Sequence, residues 1–371
     1  MVPPHALAES LDTLVSTESL SRLEGRAVVR VSREPFASPY GGVSGNQFLA
    51  VATTGEDGTT RRYVVKRTSP TWDIILRLSA DPACRELAVW QHGLLDRLPP
   101  EVGQTVVAAA RDGTGWALLM RDVTDRMHAC QRWPDPGWAP LTASELAVFL
   151  DGLAALHAAF WLDPALHDPN LDLCPLPALY SSFSPAAAER EAANPHGLLP
   201  VLRAGWQAFA REAPTEVVEL VQGLQSDLRP FCAALEWHPW TLVHADPNCK
   251  NFGLQREPVP GIILLDWQLA TRAPPAVDLA YAIALFSAVL PVSYDAVIAQ
   301  YRDRLAARLG DRFSESWWRP QLALGLLGQF VRFAGLLCWR MTEHHDPAVR
   351  EHYREILAWW SARALEARAD L

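Results

Sequence analysis

Lysine is almost absent from this chain. The sequence has 371 residues and 33 basic side chains, of which only Lys66 and Lys250 are lysines; the other 31 are arginines. A genome rich in G and C favours Arg, so both lysines could be chance survivors. Alternatively, they stand where a compact, flexible ammonium is needed, which the planar guanidinium of Arg does not replace. The sequence around each lysine must decide.

Positive charge, paired cysteines and long apolar runs are also scarce. The formal net charge of −9 offers no basic surface, so we expect no nucleic-acid partner. The six cysteines form no CxxC pair, which argues against a zinc cluster or a disulfide scaffold. The apolar run 279–292 is too short to span a bilayer, and MVPPHALAES lacks the pattern of a secretory signal. We therefore expect a cytoplasmic protein without membrane contact.

The length of the chain predicts two lobes. We place a first lobe at 1–120, a hinge at 121–125 and a second lobe at 126–371. The sequence does not reveal the oligomeric state. In the first lobe, β-branched and alternating segments predict strands, at 27–32, 48–54, 61–67 and 116–120.

Two features of the first lobe stand out. The segment SPYGGVSGN (38–46) joins two predicted strands, and such a glycine-rich turn lets backbone NH groups approach a phosphate, although most such turns bind nothing. Apolar residues at helical spacing predict an amphipathic helix over 83–98. Glu86 lies on or beside its buried face, where a carboxylate needs a partner.

The second lobe is predicted to be mostly helical. Thr142 and Glu145 form a capping-box pattern at the start of a helix over 141–162. A further helical stretch covers about 200–236, a strand covers 261–267, and helices follow to the end of the chain.

Polar residues surround that last strand. Asp246 is followed by Asn251 and, fifteen residues later, by Asp266 at the end of the strand. A hairpin in the gap would bring the three side chains to one end of two neighbouring strands. Carboxylate and amide oxygens suit Mg²⁺, which binds phosphates while keeping much of its water. If Asn251 and Asp266 take the metal, Asp246 is free to accept a proton from an attacking hydroxyl.

Four motifs resemble one known family. HADPNCKN (244–251) resembles the HxDxxxxN catalytic loop of the aminoglycoside phosphotransferase and choline kinase-like enzymes, distant relatives of protein kinases. LLDW (264–267) resembles their metal-binding segment, PAVDLAYA (275–282) their P-x-x-DLA segment, and LAALHAAFW (153–161) the helix before the loop. The resemblance implies an α+β, bilobal protein kinase-like fold. Its N-terminal lobe has a small antiparallel β-sheet with one key helix, and its C-terminal lobe is larger and mostly helical.

The resemblance also implies roles for individual residues. Lys66 would hold the α- and β-phosphates of ATP or GTP, and Glu86 would pair with Lys66. Asp246 would orient or deprotonate the acceptor hydroxyl, and Asn251 and Asp266 would bind Mg²⁺. Backbone groups would also contact the nucleotide. Those of Gly42, Ser44 and Gly45 would contact its phosphates, and those of Met120, Asp122 and Val123 would contact its base.

This chain departs from the family pattern at several positions. Ala245 replaces a common glycine, and Gln268 stands where many relatives have an acidic residue. The pattern does not fix a lysine at position 250. We infer that Lys250, four residues after Asp246, reaches the transferring phosphoryl group as a catalytic residue; a solvated loop lysine is the alternative.

The expected function is that of an enzyme, a small-molecule kinase. An antibiotic, a sugar, an amino alcohol and a steroid-like alcohol all remain open as acceptors, and the acidic balance of the chain slightly favours a cation. Tryptophans in the last helices suit either packing or the aromatic wall of an acceptor pocket. A catalytically inactive nucleotide-binding protein is the main alternative. A protein kinase is less favoured, because only eight residues separate Asp266 from Pro275 and leave no room for an activation loop.

Overall fold

The structure is a computed structural model that describes residues 3–36, 44–127, 140–194, 196–248, 250–287 and 289–371. Gly42, predicted to contact phosphate, lies outside the described residues.

The N-terminal part of the chain is built on one antiparallel sheet. Its elements are, in chain order, α1 (Leu11–Leu14), α2 (Thr17–Glu24), β1 (Val28–Pro35), β2 (Gln47–Gly55), β3 (Thr60–Thr68), α3 (Ile74–Leu78), α4 (Arg85–Gln91), β4 (Val102–Gly103), β5 (Val106–Asp112) and β6 (Gly115–Arg121). The sheet has five strands in the order β1-β2-β3-β6-β5. The four predicted strands are confirmed as β1, β2, β3 and β6.

Alternation along β3 decides where Lys66 points. Val65 is fully buried on the face that packs against α1 and α2, whereas Val64 joins the main core on the other face. Because side chains two residues apart share a face of a strand, Lys66 lies on the same side as Val64. That side also carries α4, whose Leu87 and Trp90 belong to the same core.

Helix α4 is shorter than predicted. The amphipathic pattern predicts a helix over 83–98, but α4 ends at Gln91 and a single 3₁₀ turn follows at Leu95–Arg97. Gly93 has a φ of 75°, a left-handed conformation that ends the helix and that glycine adopts without strain. The expected burial of Glu86 is confirmed, since the residue is only 1% exposed.

The rest of the chain is mostly helical. Its helices are α5 (Ala143–Ala159), α6 (Leu176–Ser181), α7 (Pro185–Arg190), α8 (Leu198–Glu212), α9 (Thr215–Ser226), α10 (Arg229–Glu236), α11 (Ala276–Phe286), α12 (Tyr294–Leu309), α13 (Glu315–Glu343) and α14 (Pro347–Glu366). The capping box of Thr142 and Glu145 at the start of α5 is confirmed. The stretch predicted at 200–236 is three helices, because Pro214 and Asp227 lie between them.

Four short strands hold the polar loops between α10 and α11. They are β7 (Thr241–Val243), β8 (Phe252–Gln255), β9 (Gly261–Leu264) and β10 (Thr271–Ala273). Strand β7 pairs with β10, and β8 and β9 form the predicted hairpin. Strand β4 pairs in parallel with β9 and so ties the N-terminal part to this region.

Helix α13 is the central helix of the C-terminal part. It is long and apolar enough to cross a membrane by length and composition, but 67% of its most apolar window is buried within the protein. It packs against α8, α11 and α14. Apolar residues on all sides are typical of a helix in the core of a large helical lobe.

Helices α8 and α13 approach each other through two glycines. A Cβ atom added to Gly205 of α8 would lie 2.2 Å from the carbonyl oxygen of Gly335 on α13. The contact is with backbone, so it cannot be relieved by a rotamer change. The close crossing therefore depends on glycine at this position.

We predict that Gly205→Ala lowers the free energy of unfolding by about 2 kcal/mol, because the methyl group forces the two helices apart. Gly223→Ala in α9 is the matched control: no atom lies within 4 Å of the added Cβ, and the better helix propensity should stabilise the protein by up to about 1 kcal/mol. Urea unfolding followed by circular dichroism measures both. A Gly205→Ala protein as stable as the wild type would contradict the close crossing.

Candidate active site

Lys66 joins three separate elements of the chain. Its Nζ lies 2.7 Å from Glu86 Oε2 on α4 and 2.8 Å from Asp266 Oδ1, just after β9. Lys66 is 3% exposed. Burial acts to lower the pKa of Lys66, but the negative charges of Asp266 and Glu86 outweigh it and raise the pKa above its ordinary value. Lys66 is thus a buried, charged ammonium between two carboxylates.

A second set of bonds fixes α4 against the segment after Asp266. The buried Arg85 of α4 donates through Nε to the carbonyl of Asp172 at 2.6 Å and through Nη1 to the carbonyl of Gln268. The Gln268 side chain donates to Asp73 Oδ2 at 2.7 Å, and Asp73 caps α3. Gln268, where many relatives have an acidic residue, therefore links α3 to this segment.

The carboxylate of Asp246 is held from several sides. Asn251 Nδ2 donates to Asp246 Oδ2 at 2.8 Å and to its backbone carbonyl at 3.1 Å. Asn248 Nδ2 donates to Oδ1 at 2.6 Å, and the hydroxyl of Tyr281 donates to the same oxygen. Burial, followed by the negative charge of Asp266, raises the pKa of Asp246 to about 7. The site thus holds a carboxylate of fixed orientation and raised basicity.

Asp278 on α11 braces the loop that carries Asp246. Its Oδ1 accepts from the backbone NH of Ala245 at 2.7 Å and its Oδ2 from that of His244 at 2.9 Å. His157 Nε2 lies 3.1 Å from the same Oδ2, and its Nδ1 lies 2.5 Å from the hydroxyl of Tyr301. Asp278 therefore braces the loop, and His157 is a buried histidine whose two ring nitrogens both have partners.

His244 connects this loop to the end of β9. Its Nε2 donates to the carbonyl of Leu265 at 2.9 Å, and its Nδ1 accepts from the NH of Asp246 at 3.2 Å. Burial lowers the pKa of His244, consistent with a neutral ring that donates at one nitrogen and accepts at the other. His244 therefore shapes the loop and fixes its distance from Asp266.

Two residues of the site have left-handed backbone conformations. Ala245 has a φ of 61° and Asp266 a φ of 65°. This conformation costs a residue with a Cβ about 1–2 kcal/mol. It explains why glycine is common at position 245 in the family that the sequence resembles. Strain of this kind is typical of functional sites that the surrounding structure over-determines.

Part of the predicted phosphate loop packs against the start of α3. The carbonyl of Ser44 accepts from the NH of Ile74 at 2.8 Å. Gly45 has a φ of 89°, and an added Cβ would lie 2.7 Å from the carbonyl oxygen of Trp72. Glycine is thus required at position 45 by both backbone conformation and space. A phosphate contact by Ser44 or Gly45 stays a prediction.

The predicted hinge is internally bonded at Asp122. The NH of Asp122 donates to the carbonyl of Arg62 at 3.2 Å, and its Oδ1 accepts from the NH of Thr124 at 3.0 Å. The Asp122 NH and carboxylate are therefore already used within the protein. Base contacts by Met120, which is buried at the end of β6, and by Val123 stay predictions.

The structure adds two residues that sequence reasoning missed. Tyr281, noted above, lies three residues after Asp278 on α11, so helical spacing could have placed it on the same face. Arg332 of α13 is 2% exposed; its Nε donates to Ser182 Oγ at 3.1 Å, and its guanidinium lies 5.5 Å from the ring centre of Tyr281. Its only signal in the sequence is that it is the one charged residue in the mostly apolar and otherwise uncharged stretch 321–338 of this helix.

The catalytic role of Lys250 remains a prediction. Its backbone NH donates to Asn248 Oδ1 at 2.8 Å, which fixes the turn after Asp246. The residue is half-buried beside the site. These observations describe its backbone, and the expected contact between its side chain and a phosphoryl group is untested.

The oxygen ligands offered by Asn251 and Asp266 fit a magnesium ion that is shared with a nucleotide. Asn251 donates its amide nitrogen to Asp246, which leaves its side-chain oxygen for a metal, and the Asp266 side chain is 27% exposed. Among the described residues, no group of three or more His, Cys, Asp or Glu could hold a metal alone. Mg²⁺ in phosphate-transfer sites needs only one or two protein ligands, because phosphates and water supply the others.

Comparisons with known proteins gave one family match and several solved structures of similar fold. Residues 139–311 match the model of the ecdysteroid kinase-like family. No curated protein sequence gave a match. Among solved structures, the ethanolamine kinase of Plasmodium vivax is similar with a TM-score of 0.50 and 10% identity, over 92% of this chain and 84% of that one. That likeness shows the fold.

Two further solved structures are less similar. Choline kinase LicA from Streptococcus pneumoniae has a TM-score of 0.46 and 12% identity, over 93% of this chain and 97% of that one. An aminoglycoside phosphotransferase from Streptomyces rimosus, in complex with ADP and streptomycin, has a TM-score of 0.43 and 17% identity, over 80% of this chain and 94% of that one.

The α+β architecture and the order of its elements confirm the predicted protein kinase-like fold. The helical part matched by the family model contains the Asp246 loop, the Asp266 segment and the Asp278 brace. Residues 139–311 are therefore similar to the ecdysteroid kinase-like family, and the protein kinase-like fold is the one that the resemblance to small-molecule kinases predicted.

Proposed function

We propose that this protein transfers the terminal phosphate of ATP or GTP to a hydroxyl group of a small molecule. One observation carries the proposal: Lys66, Glu86 and Asp266 come from distant parts of the sequence and meet through bonds of 2.7 and 2.8 Å. Buried charges are expensive unless they are paired, so a cluster of this kind suggests a selected purpose. A phosphate chain is the ligand that a buried lysine beside a metal-binding carboxylate suits best.

The proposed roles follow from the chemistry of each group. Lys66 binds the nucleotide phosphates, and Glu86 keeps its ammonium in place. Asn251 and Asp266 would hold Mg²⁺, which supplies positive charge to the phosphate oxygens when bound. Asp246 accepts the proton of the acceptor hydroxyl as its oxygen bonds to the terminal phosphorus. The bond between that phosphorus and the bridging oxygen breaks, and the nucleoside diphosphate leaves with the electron pair.

The positions of Tyr281, Asn248 and Asn251 support Asp246 as the base. Three donors hold its two oxygens, so little reorientation is needed when the acceptor arrives. Its pKa of about 7 suits a group that must be ionised to accept a proton and protonated to lose it again.

The short segment after Asp266 argues against a protein substrate. A 3₁₀ turn at Trp267–Leu269 and strand β10 at Thr271–Ala273 fill it, and α11 begins at Ala276. Among the described residues, no long segment remains there to dock an extended peptide. A catalytically inactive nucleotide-binding protein is the second candidate, and kinetics must separate it from an enzyme.

Asp246→Asn tests the proposed function. We predict that acceptor-dependent phosphate transfer falls at least about a hundredfold, because the amide cannot take the hydroxyl proton, while nucleotide binding is retained. Radiolabelled ATP with Mg²⁺ and a broad panel of hydroxyl compounds measures transfer. Asp227→Asn, an exposed carboxylate paired with Arg229, is the control and should leave transfer unchanged. Equal, negligible transfer by all three proteins would favour the inactive alternative.

Lys250→Arg tests the second lysine. If its ammonium reaches the transferring phosphoryl group, the bulkier and planar guanidinium should lower kcat about tenfold or more with little change in the KM for ATP. Steady-state kinetics at saturating acceptor separate the two parameters. Near-normal turnover by this variant would make Lys250 a solvated loop lysine.

A further inference from the structure

A cavity lies between α11, α13 and α14, on the same side of the C-terminal part as Tyr281. Its volume is about 60 Å³, and its walls are largely aromatic and aliphatic, with Phe330, Phe333, Tyr353 and Trp360 among them. Since a water molecule needs about 10–15 Å³ by this measure, the cavity holds roughly four water-sized groups. It therefore has room for one end of an organic molecule.

A continuous row of aromatic contacts connects this cavity to Asp246. The Phe333 ring, which lines the cavity, lies 5.4 Å from the ring of Tyr281 in an edge-to-face contact. The hydroxyl of Tyr281 donates to Asp246. The cavity wall is thus in direct contact with the side chain that holds Asp246.

Two side chains of the cavity wall have nitrogen donors without a hydrogen-bond partner among the described residues. Gln329 of α13 is 3% exposed, yet its Nε2 has no hydrogen-bond partner among the described residues. Arg340, which lies further along the same helix, also lines the cavity. No hydrogen bond or ion pair to another described residue involves its side chain. Gln329 is thus a buried donor without a partner, which is costly, whereas Arg340 is half-buried and adds a positive charge.

The charges in the cavity wall select the chemistry of a ligand. Among the described residues that line it, none is Asp or Glu, and Arg340 provides a positive charge. A cationic acceptor would find no carboxylate here. An oxygen acceptor would satisfy Gln329, and an anionic one would also pair with Arg340.

The geometry points to an acceptor subsite for an apolar alcohol whose far end carries a carboxylate or carbonyl oxygen. This inference rests on the proposed function and names its substrate class. It differs from the expectation drawn from the net charge of the chain, which slightly favours a cation. The local charge at the cavity, and not the sum over the surface, decides which ligand end is stabilised.

Three probes of equal chain length test the inference by isothermal titration calorimetry without nucleotide. They are hydroxydodecanoate, dodecanediol and aminododecanol, each used below its critical micelle concentration on the full chain. We expect hydroxydodecanoate to bind tightest and aminododecanol weakest, with about tenfold between them. If aminododecanol bound more tightly than the other two probes, the inference would be overturned.

Two variants test the residues on which the proposed acceptor subsite depends. We expect Gln329→Leu and Arg340→Met each to weaken hydroxydodecanoate binding about tenfold. Gln321→Leu is the matched control: Gln321 is buried on the same helix with both amide atoms unpartnered, but it does not line the cavity. Loss of a buried, unpaired amide should not lower the melting temperature of either Gln→Leu variant. Wild-type binding by both cavity variants would overturn the subsite.

The same experiment separates this inference from the proposed function. If hydroxydodecanoate binds with the expected preference but no acceptor takes phosphate from ATP, the function fails and the cavity remains a binding site. If phosphate is transferred to cationic acceptors alone, unaffected by the two cavity variants, the function stands and the substrate class is wrong.

Discussion

The ion pairs of Lys66 are the constraint on which the rest of the site depends. A single ammonium meets a carboxylate from α4 and another from the end of β9, at 2.7 and 2.8 Å. Strand β3, helix α4 and the Asp266 segment must therefore keep their relative positions, or a charge is left buried without a partner. The parallel pairing of β4 with β9 and the bonds of Arg85 to Asp172 and Gln268 support the same arrangement.

The Asp246 loop is held from the opposite side by the helices of the C-terminal part. Asp278 on α11 binds two successive backbone NH groups of the loop, and Tyr281 on the same helix binds the Asp246 side chain. Arg332 on α13 lies behind them, with its Nη1 3.4 Å from the carbonyl of Ala245. The central core helix thus reaches the site through one buried arginine.

Much of the fold could be predicted because local patterns carried it. Alternation found the strands around Lys66, and the capping box of Thr142 and Glu145 marked the start of α5. The end of α4 was missed because the apolar spacing continues past Gly93, whose backbone conformation interrupts the helix. The three helices within 200–236 were merged for a similar reason, since apolar residues recur across the breaks at Pro214 and Asp227.

The site was predictable in its residue types and less so in its contacts. The spacing of Asp246, Asn251 and Asp266 indicated one cluster, but not that Asn251 would donate to Asp246. Arg332 could not be found from the sequence, because a contact between α13 and the loop depends on how the helices pack. The scarcity of lysine was informative for Lys66, whose compact ammonium bonds to one carboxylate from α4 and another from the end of β9.

The most direct test of this account is the affinity of Lys66 variants for a nonhydrolysable ATP analogue with Mg²⁺, measured by calorimetry on proteins whose circular dichroism matches the wild type. If Lys66 holds the nucleotide phosphates, Lys66→Met should bind the analogue at least about tenfold more weakly, since a charge-assisted contact is lost. Lys66→Arg should restore little of that affinity. Wild-type affinity in both variants would contradict the account.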